Sequence, residues 1–194
     1  MSKRTEKVDI EYINSEAYRC AFDFFEDATL GDVICEVARE MLKHRTGTSL
    51  EDFAAISISK KHVVTRLVSS KTHNEAVLTN ENRRAMSVAK RGDLVTIHNH
   101  PENMPPSSAD FRLCLVRSVR YGIIAGHNGS VVRYRIVDRE KFLMAVESRT
   151  MKELDGFILR NVVYYGTRIG DAYISSMLER RFGVSYERID TYDE

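Results

Sequence analysis

Leu94-Val95-Thr96-Ile97-His98-Asn99-His100-Pro101, running on to Pro105-Pro106-Ser107-Ser108-Ala109-Asp110, carries an apolar run into two histidines and then through a proline-containing loop to an aspartate. Leu94 to Ile97 are apolar or β-branched and predict a buried strand, with Gly92 closing the element before it. Side chains alternate along an extended chain, so His98 and His100 share a face and Asn99 takes the other. Two imidazoles so placed can converge on one ion, and neutral imidazole is a favoured zinc ligand. A catalytic site of this kind needs a third protein ligand and keeps a fourth position open. Asp110 is the best-placed candidate, because Pro105 and Pro106 stiffen the loop that turns back toward the histidines and lower the entropy lost in holding it. Ser107 to Asp110 also reads as a helix N-cap with an acidic residue at N3, and the two readings are compatible.

Upstream of this stretch, Ala17, Cys20, Ala21, Phe24 and Phe25 recur at helical spacing from Ser15 to a break near Ala28. A second helix is predicted from Leu30 to Lys43, capped by Thr29. Thr46 to Ser49 read as a turn, Phe53–Ser59 and Val63–Val68 as strands joined through Lys60, Lys61 and His62, and Thr79 or Asn80 as the cap of a helix through Lys90. Downstream, Glu102 to Pro106 is loop and Ser107 opens a helix expected to reach Tyr121. Gly122–Gly126 and Val131–Val137 form a hairpin around His127-Asn128-Gly129, since Asn-Gly is a strong turn signal. Asp138 to Phe182 reads as helix, interrupted at Gly156, Gly166 and Gly170. This order implies an α/β (α+β) sandwich, a mixed sheet flanked by helices with extra helices at both ends. Residues 1–14 are expected to be loosely ordered, 15–137 to form the metal-binding domain, and 138–194 to pack on it as a helical extension.

The 194 residues suffice for one substantial core, and 43% hydrophobic with 29% charged residues is an ordinary globular balance. Lys plus Arg number 29 against 28 Asp plus Glu, a net charge of +1, which gives no field to draw the protein to nucleic acid or an anionic membrane. No segment reads as a signal peptide or a membrane span, and Cys20, Cys35 and Cys114 lack the spacing of bridges or zinc pairs, so reduced thiols and a cytoplasmic location are expected. The letters His-Asn-His do not make an HNH nuclease, whose residues are spread over a ββα-metal fold and accompany a basic phosphate-binding surface.

The run His98-Asn99-His100-Pro101 with Ser107-Ser108-Ala109-Asp110 resembles the HxHP…SxxD signature of JAMM (MPN+, JAB) metalloproteases, and the RadC-like branch in particular. The resemblance implies a JAMM/cytidine-deaminase-like arrangement and a zinc-dependent peptidase or isopeptidase. Zn²⁺ would be bound by His98, His100 and Asp110, Ser107 would stabilise the tetrahedral intermediate, and an upstream glutamate would activate water. Glu51 fits that role, as Glu51-Asp52-Phe53 is similar to the branch's Glu-x-Phe strand start. Glu36 and Glu40 on the preceding helix and Glu75 in a polar loop are the alternatives, while Asp52 alternates to the wrong face. The implied partner is a peptide or protein substrate, with a ubiquitin-like tail as one form. His44-Arg45-Thr46-Gly47-Thr48, the His-Asn-His-Pro loop and Gly126-His127-Asn128-Gly129 further resemble domains of this type found beside minor head proteins of phages and mobile elements. A non-catalytic scaffold on the same fold is the competing function, and Tyr164, Tyr165 and Tyr173 on the tail are its candidate binding surface. His127, in an Asn-Gly turn, reads as a solvated loop residue.

Overall fold

The structure, a computed structural model, describes residues 7–25, 27–73, 78–101, 104–148, 150–165 and 168–189, without the side chains of 69–73, 162–165 and 168–170. Glu75, Glu102 and Gly166 lie outside the described residues, as do the side chains of Tyr164 and Tyr165.

Strands β1 (Leu50–Ser57), β2 (His62–His73), β3 (Leu94–His100), β4 (Val119–Gly126), β5 (Val131–Ile136) and β6 (Val184–Ile189) form one sheet in the order β2-β1-β3-β4-β5-β6. The β3–β4 pair is parallel and the others are antiparallel, so the sheet is mixed, as expected. Alternation along each strand divides the core in two. Ala54 and Ile56 of β1, Val95 and Ile97 of β3, and Ile123 and Ala125 of β4 pack with α1 (Ile10–Asn14), α2 (Glu16–Cys20) and α3 (Ala28–Arg45). Phe53, Ala55, Leu94 and Ile124 face the opposite way, toward α4 (Asn80–Ser87), α5 (Ser108–Leu113), α6 (Arg139–Glu147), α7 (Met151–Tyr165) and α8 (Arg168–Phe182). Helix α3 presents Ile34, Ala38, Met41 and Leu42 at helical spacing, all buried, and full burial of an Ile or Leu side chain contributes about 1.5–3 kcal/mol.

Several elements differ from the sequence expectation. Helix α3 begins two residues earlier than Leu30, because the Asp27 carboxylate, not Thr29, accepts the Leu30 N–H at its N-terminus. The helix opened by Ser107 stops at Leu113 instead of reaching Tyr121: Leu94 pairs with Val119, so the chain must return to the start of β3 and lay down β4 alongside it. Gly156 and Gly170 lie inside α7 and α8 and interrupt neither. The tail also carries a strand, β6, which joins β5 and so belongs to the same sheet. In the segment expected to be loose, Ile10–Asn14 is helical, and Val8 and Ile13 are buried in the core. Cys35 and Cys114 are buried, Cys20 is exposed, and all three are free thiols. No helix among the described residues is long and apolar enough to cross a membrane.

Candidate metal centre

The end of β3 delivers His98 and His100 to the face covered by α4–α8, beside the parallel strand β4. Ligands favour the carboxyl ends of parallel strands because helices and loops leave a crevice there. Asp110 reaches the same point from the first turn of α5. His98 Nε2 lies 2.9 Å from His100 Nε2 and 3.1 Å from Asp110 Oδ1, and His100 Nε2 lies 3.8 Å from Asp110 Oδ2. One ligand atom from each of the three falls within 4.8 Å of the others. Atoms held tetrahedrally at the usual zinc–nitrogen and zinc–oxygen lengths would stand about 3.3 Å apart, so the three groups fit a small cation with little movement.

Local chemistry presets these ligands. His100 Nδ1–H donates to the Met104 carbonyl at 2.7 Å, which places the imidazole's lone pair on Nε2, the nitrogen that faces the site. Pro105 and Pro106, both buried, carry the chain from there to Ser107. Ser107 caps α5 with a complete capping box: its Oγ accepts the Asp110 N–H at 3.3 Å, while its own N–H and Oγ–H each donate to Asp110 Oδ2 at 2.7 Å. From α7, Asp155 accepts both the N–H and the Oγ–H of Ser108 at 2.7 Å, so the C-terminal helices brace the ligand-bearing turn.

Burial opposes charge on Asp110, but His98, His100 and the Ser107 N–H outweigh it and hold the carboxyl well below the usual carboxylate range. Burial likewise disfavours charge on His98, yet Asp110, helped by Glu51, raises its pKa above that of an ordinary histidine. Both shifts have one cause, the attraction between the Asp110 carboxylate and a protonated histidine, and a bound cation would take the place of that proton.

Glu51 lines the same cavity, of about 700 Å³, together with Phe53, both histidines, Ser107 and Asp110. It is 7% exposed. Its rivals lie elsewhere. Glu36 and Glu40 are on α3, across the sheet from the cavity, where they pair with Arg39 and Arg66. Asp52 points away from the cavity and binds Arg45 Nε and His44 Nδ1, each at 2.7 Å. The remaining cavity wall is largely apolar, with Leu113, Val116 and Ile158, and Arg83 and Arg112 add positive charge.

His127 is corrected by the structure: it is fully buried, not solvated, and its Nε2 faces the Asn99 side-chain amide at 3.1 Å. The Asn-Gly turn forms as expected, with Gly129 at φ 85°, but the N–H of His127 donates to the His100 carbonyl and draws the residue under the sheet. Asp155 has no local sequence signal, since its partner Ser108 is 47 residues away. No protein-family model, curated protein or solved structure matches the chain.

Proposed function

We propose that the protein is a zinc-dependent hydrolase of amide or isopeptide bonds, of the JAMM type that its motif resembles. The observation that supports this best is the convergence of a three-ligand cluster and a buried glutamate on one cavity. When bound by His98, His100 and Asp110, the ion supplies a water pKa lowered to roughly 7 and Lewis-acid polarisation of a carbonyl. Glu51 accepts the proton of the attacking water and passes it to the leaving nitrogen, general acid–base work worth about 10²–10⁴-fold in rate. The apolar wall of Phe53, Leu113, Val116 and Ile158 suits an apolar side chain beside the scissile bond. The substrate class is a peptide or protein segment, including the tail of a ubiquitin-like protein.

One contact favours the competing reading of a binding module. The Ser107 hydroxyl is spent on Asp110 Oδ2, so donating to a developing oxyanion would require it to leave that bond. Turnover separates the two readings. A panel of fluorogenic peptide amides and isopeptide-linked tails, assayed with zinc-loaded protein, is expected to yield at least one cleaved member. Glu51→Gln is expected to keep the metal and lose at least about 100-fold in kcat. Unchanged turnover in Glu51→Gln would remove Glu51 from the mechanism, and stoichiometric zinc with no cleavage across the panel would favour the binding module.

A further inference from the structure

One side chain, that of Asn99, bonds to the peptide groups on either side of Glu51. Backbone pairing of β1 with β3 runs from Ser57↔Leu94 to Phe53↔His98, and the ladder of β1 with β2 shifts register between Leu50 and Asp52. Glu51 therefore sits at an irregularity of the β1–β2 ladder, beyond the last β1–β3 pair. There Asn99 Oδ1 accepts the Asp52 N–H at 2.8 Å, and Asn99 Nδ2 donates to the Leu50 carbonyl at 3.0 Å. The other N–H of that amide meets His127 Nε2 at 3.1 Å. Oxygen and both N–H groups are all used, and the reverse orientation would set N–H against N–H and oxygen against oxygen, so the amide has one way to lie. His127 must then carry its proton on Nδ1, leaving Nε2 as acceptor. Beyond the clamp, Arg45 and His44 tie down the Asp52 carboxylate on the same side of the sheet.

We infer that Asn99, oriented by His127, is the positioning residue for Glu51. Asn99 lies between the two ligand histidines on β3, so its amide fixes the glutamate's backbone to the strand that carries the metal ligands. The carboxylate is thereby placed relative to the site from behind the sheet, by a residue that does not line the cavity. This rests on Glu51 being the proton acceptor. Satisfying buried polar groups would alone give Asn99 a purely structural reason to be there. The two roles differ in what a substitution changes: a structural residue lowers stability, whereas a positioning residue lowers kcat with the metal retained and KM little altered.

The test compares wild type, Asn99→Ala, His127→Gln and His127→Leu as zinc-loaded full-length proteins. It measures zinc content, kcat and KM on the most rapidly cleaved peptide amide of the panel above, and amide exchange by NMR. In Asn99→Ala the Asp52 amide is expected to exchange at least tenfold faster while Ala54 and Ile56 keep their protection. Zinc should stay near one per chain, KM within about twofold, and kcat should fall about 10–100-fold, the scale of a misplaced catalytic group. His127→Gln, which retains an acceptor for the Asn99 amide, is expected to stay near wild type, and His127→Leu to follow Asn99→Ala. Loss of zinc from Asn99→Ala would overturn the inference by showing that Asn99 holds the histidines instead. Unchanged kcat with fast Asp52 exchange would overturn it by showing a clamp that positions nothing. If Asn99→Ala does not fold, the His127 pair decides, and equal kcat in its two members would overturn the inference. A wild type that cleaves nothing fails the hydrolase reading and the positioning role with it, while Asp52 exchange still reports separately whether the clamp exists.

Discussion

Asp155→Ala removes a carboxylate that joins α7 to the first turn of α5, two residues ahead of the candidate ligand Asp110. The lost interactions are the bonds from Ser108 N–H and Oγ–H, each 2.7 Å. A hydrogen bond to a charged group contributes about 1.5–3 kcal/mol when well desolvated. Asp155 is only half-buried and both bonds share its carboxylate, so the loss is set at about 2 kcal/mol in total. For a chain of this size each kcal/mol moves Tm by about 2–4 °C, giving an expected fall of about 4–8 °C. A loosened Asp110 should also weaken metal affinity about tenfold, the low end of what outer-shell supports contribute. Thermal unfolding followed by circular dichroism measures the first quantity, and competition with a chelating dye measures the second. Asp155→Asn keeps one acceptor oxygen and should fall between wild type and Ala. Wild-type Tm together with wild-type metal affinity in Asp155→Ala would refute the idea that the C-terminal helices brace the site.

Two further substitutions separate local roles. Ser107→Ala removes the N-cap hydroxyl of α5 and a donor to Asp110 Oδ2, and should cost about 1 kcal/mol, read as a Tm fall of about 2–4 °C, with weaker metal binding. A loss of 100-fold or more in kcat with an unchanged Tm, on the scale of deleting an oxyanion donor, would instead assign the hydroxyl to the reaction. Gly122→Ala would drive a Cβ into Cζ and the hydroxyl of the fully buried Tyr134, whose ring packs edge-on against Phe111 at 5.6 Å and His98 at 6.2 Å. Overpacking of this kind costs about 1–3 kcal/mol, so Tm should drop by several degrees; an unchanged melting curve would show that the ring can move freely.

The parts of this fold legible in the sequence were those governed by short-range rules. Alternation placed His98 and His100 on one face and Asn99 on the other, Asn128-Gly129 marked the β4–β5 turn, and Thr79 and Ser107 announced the caps of α4 and α5. Glu51, which the family resemblance singles out at the entry of an apolar strand, does line the cavity with the histidines and Asp110. What escaped the sequence depends on distant partners. Val119 to Tyr121 continue a helical pattern locally, but pairing with β3 makes them strand. Val184–Ile189 becomes a strand because β5 offers it an edge. His127 looks solvated until the sheet closes over it, and Asn99, pointing away from the ligands, looks idle until Leu50, Asp52 and His127 arrive around it.

Metal content decides whether His98, His100 and Asp110 hold zinc. Wild type and His98→Ala, purified in parallel without chelators and dialysed against trace zinc, should be compared by elemental analysis. About one zinc per wild-type chain and almost none in the variant are expected, with both proteins folded by circular dichroism, because two remaining ligands hold the ion far more weakly than three. Equal zinc in the two proteins would contradict the ligand assignment, and no zinc in either would contradict the metal centre itself.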